Sequence, residues 1–352
     1  MANTKHCSIL TLSDGAKLAY EILGSHHINR TVPIVLICGM TSVRVDFERL
    51  TQSLTNTRPV LIYDHRGMGD SSLTHDADED ITIELMARDL AALLTHLQWK
   101  EVALCGFSMG GVIAQQMLVL PFDAKAPVSI PFSVTHLLLA GTRSVVQEGA
   151  GLKIPPLAPN ATRTPEEKKI IAWRVASALV DPKWQEENSE RFKYIVQRAI
   201  NPEFNRPPQI IAKQRAALQQ FYFANKLDQL SRAMQVLIVH GQLDQVIPFS
   251  CAEQTLRCIP HARLLEQGSS RGQVPTLNFG HFWFEYFDIA IWHNVIDTFV
   301  KIYPLGDLYS VEAVDSCRLD YASLSYRKAR KTADHPKRFL PAGMSFVQSL
   351  KA

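Results

Sequence analysis

The residues best suited to chemistry lie in Gly106-Phe107-Ser108-Met109-Gly110-Gly111. A serine with a glycine two positions to either side fits a sharp strand-to-helix turn that thrusts its hydroxyl toward a substrate carbonyl. Such a turn strains the serine backbone, and a side chain at Gly106 or Gly110 would collide across it. A helix starting just after the serine would turn its positive end toward a developing oxyanion. Serine is a weak nucleophile at neutral pH. The chemistry therefore needs a general base, an acid to orient that base, and donors for the oxyanion.

Twelve histidines compete for the role of base. His281 follows Gly280 in a loop just before the last expected helix, and that placement suits a base. His261 precedes its strand and belongs to the opposite sheet edge, His240 ends a strand and reads as a packed residue, and His65 comes early in the chain. Among the acids, Asp244 stands in the stretch from His240 to Pro248, just past a strand end. Glu253 and Glu266 fall in a helix and a strand, and Asp228 precedes its strand. One oxyanion donor is expected to be the backbone N–H of Met109. The other is expected at Met40, in Cys38-Gly39-Met40 after an apolar strand.

These loops need a scaffold that gathers them at one edge. Cys7–Leu12 and Lys17–Ile22 read as strands joined by a turn at Ser13-Asp14-Gly15. Pro33–Cys38, Val60–Tyr63, Glu101–Cys105, Thr135–Ala140, Gln235–His240 and Arg263–Glu266 read as further strands. The continuous apolar runs among them mark strands buried on both faces. Ile83–Leu97 repeats apolar residues at helical spacing, Gly110–Leu120 reads as a buried helix, and Phe282–Ile302 as the final one. Strand alternating with helix calls for an α/β fold, with a mostly parallel sheet and helices on both faces. Thr164–Val180, Trp184–Ile200 and Pro208–Ala224 look helical, with prolines suited to first turns. They form a helical cap insertion at 143–234, between core segments 1–142 and 235–303. Residues 304–352 read as a basic C-terminal extension, solvated and partly disordered.

These features resemble the α/β-hydrolase superfamily. The order Ser108, Asp244, His281 matches that family's serine–acid–histidine order. The segment Tyr63-Asp64-His65-Arg66-Gly67-Met68-Gly69-Asp70-Ser71 is similar to the family's DxRGxGxS turn, a structural element. The resemblance covers roughly residues 10–303. It implies Ser108, Asp244 and His281 as a triad and the Met40 and Met109 N–H groups as an oxyanion hole. The sequence departs from the family at Cys38, where a histidine usually precedes the glycine, and in the long, irregular Gly268–Gly280 connection.

The expected reaction is hydrolysis of a carboxylic ester with a small to medium apolar acyl or alkyl group, through an acyl-enzyme and without cofactor or metal. Carbon–carbon bond hydrolysis, perhydrolysis and acyl transfer use the same triad, and a non-catalytic scaffold is a further alternative. Trp173, Trp184, Phe192, Tyr194, Phe221, Tyr222 and Phe223 could line an apolar pocket, although at least half of them are expected to pack lid helices together. A small-molecule substrate is the expected partner, with no nucleic acid, because a net charge of +3 gives no basic footprint. The longest apolar runs are too short to span a bilayer. The six cysteines form no CxxC pair and read as reduced thiols, which suits a cytoplasmic protein.

Overall fold

The computed structural model describes residues 7–74, 79–147, 151 and 163–301. The expected basic extension at 304–352 lies outside them. The described residues form an eight-stranded sheet: β1 (Ser8–Thr11), β2 (Lys17–Leu23), β3 (Ile34–Ile37), β4 (Val60–Tyr63), β5 (Glu101–Phe107), β6 (Ser133–Ala140), β7 (Gln235–Val239) and β8 (Arg263–Leu264). Their spatial order is β1-β2-β4-β3-β5-β6-β7-β8. β1 and β2 run antiparallel, as does the β2–β4 pair, and every pairing from β4 through β8 is parallel.

Alternation along the strands explains why helices cover both faces. In β3, Val35 and Ile37 join one buried cluster while Ile34 and Leu36 join the other. The first cluster takes in α2 (Ile83–Leu97) and α3 (Met109–Val119), and the second takes in α1 (Glu48–Leu54) and the final helix (Ile289–Val300). A strand with both faces covered must be apolar throughout, which is why β3 and β4 are buried at every position. Beside β3 the winding reverses: β4 lies on one side and β5 on the other. In an open α/β sheet the strand ends at such a reversal form a crevice that suits a ligand. The loop carrying Met40 and the turn carrying Ser108 both leave the sheet there.

Between β6 and β7 run α4 (Pro165–Leu179), α5 (Pro182–Glu187), α6 (Ser189–Ile200) and α7 (Pro208–Ala217). Three of the four start at a proline, as expected. Thr164 caps α4 in a reciprocal box with Glu167, and Asp181 caps α5 by accepting from Lys183 and Trp184 N–H.

Three helix boundaries differ from the sequence reading. The single helix expected over Trp184–Ile200 is two, broken at Asn188, whose φ of −121° and ψ of 38° leave the helical region. The helix expected over Pro208–Ala224 stops at Ala217. Beyond it Phe221 and Phe223 are buried and stack at 5.1 Å, while Tyr222 between them is 81% exposed. That two-residue alternation belongs to extended chain and overrides helical propensity. The helix expected over Phe282–Ile302 begins at Ile289 instead, capped by Asp288, because Phe287 adopts a φ of 65°. A short 3-10 turn at Trp283–Glu285 precedes it, and Trp283 packs edge-on against Trp292 with ring centroids 4.7 Å apart.

Candidate active site

Ser108 sits between β5 and α3 with φ 54° and ψ −120°, a left-handed conformation rare for a residue with a side chain. Its neighbours hold it there. Ser108 N–H donates to Ala140 O at 2.9 Å, and Ser108 O accepts from Gly111 N–H at 3.0 Å. The flanking glycines are required by close approach. A Cβ on Gly106 would lie 2.6 Å from Gly111 Cα, and one on Gly110 would lie 2.1 Å from Ile37 O. Thr142, at the end of β6, donates its hydroxyl to Ser108 O at 2.6 Å.

Asp244 follows β7 and His281 follows the long connection after β8. The Nδ1–H of His281 donates to Asp244 Oδ2 at 2.7 Å, with both residues buried. The other carboxylate oxygen, Oδ1, accepts from Val246 and Ile247 N–H at 2.8 Å each. Asp244 is thus fixed as an acceptor, and it selects the tautomer that leaves His281 Nε2 free to take a proton. Ser108 and His281 line one cavity of about 300 Å³, together with Gly39, Met40 and Met109. Neither the Met40 nor the Met109 N–H meets a protein acceptor among the described residues. Both are therefore available as donors to a ligand oxygen.

The irregular Gly268–Gly280 connection carries His281 into this position. Gly268 N–H donates to Val274 O and Val274 N–H to Glu266 O, which closes the loop on itself. Farther on, Leu277 O and Phe279 O accept from Gln242 and Leu243 N–H, stitching the segment to the turn that holds Asp244. Phe282 N–H then donates to Leu179 O at 2.8 Å, at the end of α4. Tyr286 completes the support: its hydroxyl donates to Asp181 Oδ2 at 2.7 Å and accepts from Asp181 N–H at 2.8 Å.

The competing histidines do other work. His240 donates Nε2–H to Ile247 O at 2.9 Å, and its ring lies 3.5 Å from Asp244 Oδ2. Burial pushes its pKa below the ordinary value, so it packs against the acid as a neutral ring. His65 is buried and donates Nε2–H to Cys38 O at 2.9 Å. Desolvation pushes His65 down to about 4, which keeps it neutral. It steadies the loop that presents Met40, where the sequence has Cys38 instead of a histidine. Around it the DxRGxGxS-like segment is tied by ion pairs, Arg44 with Asp64 and Arg66 with Asp89.

Sequence reasoning missed Thr142, the loop-steadying role of His65, and Gln214 on α7, whose Oε1 accepts from Thr41 N–H at 3.3 Å. Thr142 had a signal: it follows Gly141 at the end of a strand, on the same edge as the serine. The aromatic lining expected from the insertion is absent from the cavity among the described residues. Trp184, Phe192, Phe221 and Phe223 are buried elsewhere, while Trp173, Tyr194 and Tyr222 are exposed. The aromatic walls are Phe107 and Phe282. Among the described residues, no helix is long and apolar enough to cross a membrane.

Comparison with known proteins agrees with this architecture. A hydrolase from Pseudomonas aeruginosa PA01 is similar over 85% of this chain and 99% of its own, with a TM-score of 0.63 at 21% identity. An esterase from Exiguobacterium antarcticum is similar over 84% and 100%, with a TM-score of 0.63 at 20% identity. Likeness at that level shows the fold. In sequence, a proline iminopeptidase of Lactiplantibacillus plantarum is 31% identical over 132 residues, 37% of this chain. The match spans 43% of that relative's length. The model of the alpha/beta hydrolase family matches residues 34–285, most of the chain, and the protein belongs to that family.

Proposed function

We propose that the protein is a serine hydrolase that cleaves a small to medium carboxylic ester. The observation that carries this reading is the shared cavity: a strained serine at a helix start and a histidine bonded to a buried carboxylate open onto the same space. Membership of the alpha/beta hydrolase family supports hydrolysis, and the esterase among the structural neighbours supports the ester as substrate.

In the proposed mechanism His281 Nε2 takes the Ser108 proton as Oγ attacks the ester carbonyl carbon. The carbonyl π pair moves onto oxygen, which the Met40 and Met109 N–H groups receive. Collapse of the intermediate breaks the ester C–O bond, and His281 gives its proton to the leaving alcohol. Water, deprotonated by the same histidine, then attacks the acyl-enzyme and releases the acid and free Ser108. Helices α4–α7 act as the cap over the site, and Gln214 and Leu179 are two of their attachments to it.

The test is a series of 4-nitrophenyl esters of increasing acyl length with wild type and Ser108→Ala. The expected result is turnover by wild type, best for short to medium chains, and loss of at least about 10⁴-fold in the variant. Equal rates for the two proteins would overturn the reading. A second reading, release of a residue from a peptide N-terminus, draws on the proline iminopeptidase match. A cationic amine end would enter a cavity lined by Arg143 and Arg215 and, among the described residues, by no Asp or Glu to receive it, which favours the ester.

A further inference from the structure

Among the described residues, the charged side chains lining the cavity beside Ser108 are arginines, apart from the histidine of the site. Among the described residues its lining includes Arg143 and Arg215 and no Asp or Glu. Asp244 is turned away from it, spent on His281 and two backbone N–H groups.

Arg143 is the more informative of the two arginines. It follows Thr142 at the end of β6 and is 2% exposed. Two carbonyls accept from it, Gln147 O at 3.1 Å and Leu218 O at 2.7 Å, and its head lies 5.7 Å from the centre of the Phe221 ring. Burial lowers its pKa, and no carboxylate opposes that shift. A guanidinium nevertheless stays charged and has five N–H donors, of which two carbonyls use only part. A buried cation without a counter-charge is costly, and a bound anion would offset that cost.

We propose that Arg143 binds a carboxylate of the substrate: the ester that reaches Ser108 carries a carboxylate at its far end, on the acyl or the alcohol side. This rests on the serine-hydrolase reading above and deepens it. A guanidinium fork matches a carboxylate in two parallel hydrogen bonds. The cavity of about 300 Å³ restricts the choice to small molecules.

The test compares matched esters. On the acyl side, 4-nitrophenyl hemiglutarate is set against 4-nitrophenyl hexanoate. On the alcohol side, O-acetylglycolate is set against propyl acetate. Wild type is expected to favour the anionic member of at least one pair by tenfold or more in kcat/KM. That ratio should collapse to about one in Arg143→Gln and in Arg143→Met, which guards against one variant failing to fold. No preference in either pair, or a preference that survives both substitutions, would overturn the proposal. If wild type hydrolyses none of the four, the serine-hydrolase reading fails separately, and glutarate binding decides the subsite. Millimolar glutarate should then raise the Tm of wild type and of Ser108→Ala but not of Arg143→Met. No rise in wild type would sink the subsite.

Discussion

Ser108 and His281 face one cavity but are held there in opposite ways. Ser108 is shaped mainly by the tight turn beside it in sequence, with Ala140 O and the Thr142 hydroxyl added from across the sheet. Gly106, Gly110 and Gly111 make room for the turn, and the helix begins at the next residue. His281 is fixed by residues far from it in the chain: Asp244, the turn at Gln242 and Leu243, and Leu179 and Asp181 of the helical segment. A serine presented by a strained turn leaves a motif in the sequence. A histidine delivered by long-range contacts leaves only a histidine in a loop.

The contrast can be broken at several points. The largest effect is expected at the joint between the two long-range partners. Asp244→Asn should lower kcat/KM for an ester by about 10³- to 10⁴-fold with little change in the folded structure, because the amide no longer enforces the tautomer that His281 needs. Steady-state kinetics with a circular dichroism spectrum check it, and a loss below tenfold would contradict the assignment. Next is the local side. Gly110→Ala places a methyl against Ile37 O and should cost about 4 kcal/mol in urea unfolding.

Support for the base should matter less than the base itself. Tyr286→Phe strips Asp181 of two buried hydrogen bonds. A stability loss of about 1 to 3 kcal/mol is expected, with a fall in kcat that Ser108-side substitutions such as Thr142→Val do not reproduce in proportion. A Tyr286→Phe variant with wild-type stability would show that the tie to the helical segment is not needed.

The smallest expected effect is a pH dependence. His65 titrates at about 4 in the folded protein, below the ordinary value for histidine, because burial disfavours its cation. A depressed histidine favours the folded state above the unfolded pKa near 6.5, and this contribution is lost as pH falls toward 4. Wild type should therefore lose about 1 to 2 kcal/mol over that window relative to His65→Gln, by urea unfolding at pH 7, 5.5 and 4.5. An unchanged difference across the series would contradict a neutral buried His65.

The sheet was legible because its strands obey one rule. Val60–Tyr63 matches the expected strand at both ends, as does the helix Ile83–Leu97, since burial on two faces or on one stripe writes itself directly into residue type. The helical segment was less legible. Asn188 breaks a run that propensity alone would continue, and Phe221 and Phe223 leave the helix because tertiary burial takes them in alternation. At the site, strand ends and chain order singled out Ser108, Asp244 and His281, and the structure brings Ser108 and His281 to one cavity with His281 bonded to Asp244. Gln214 and Arg143 left no such signal, since their places depend on which helix or strand end lies across the cavity, and Thr142 left only its position after Gly141 at a strand end.

The most direct measurement of the central claim is covalent labelling with a fluorophosphonate, followed by intact mass and peptide mapping. One adduct is expected on folded wild-type protein, located at Ser108, absent from Ser108→Ala and much slowed in Asp244→Asn. No adduct on the wild type, or the same adduct on Ser108→Ala, would contradict it.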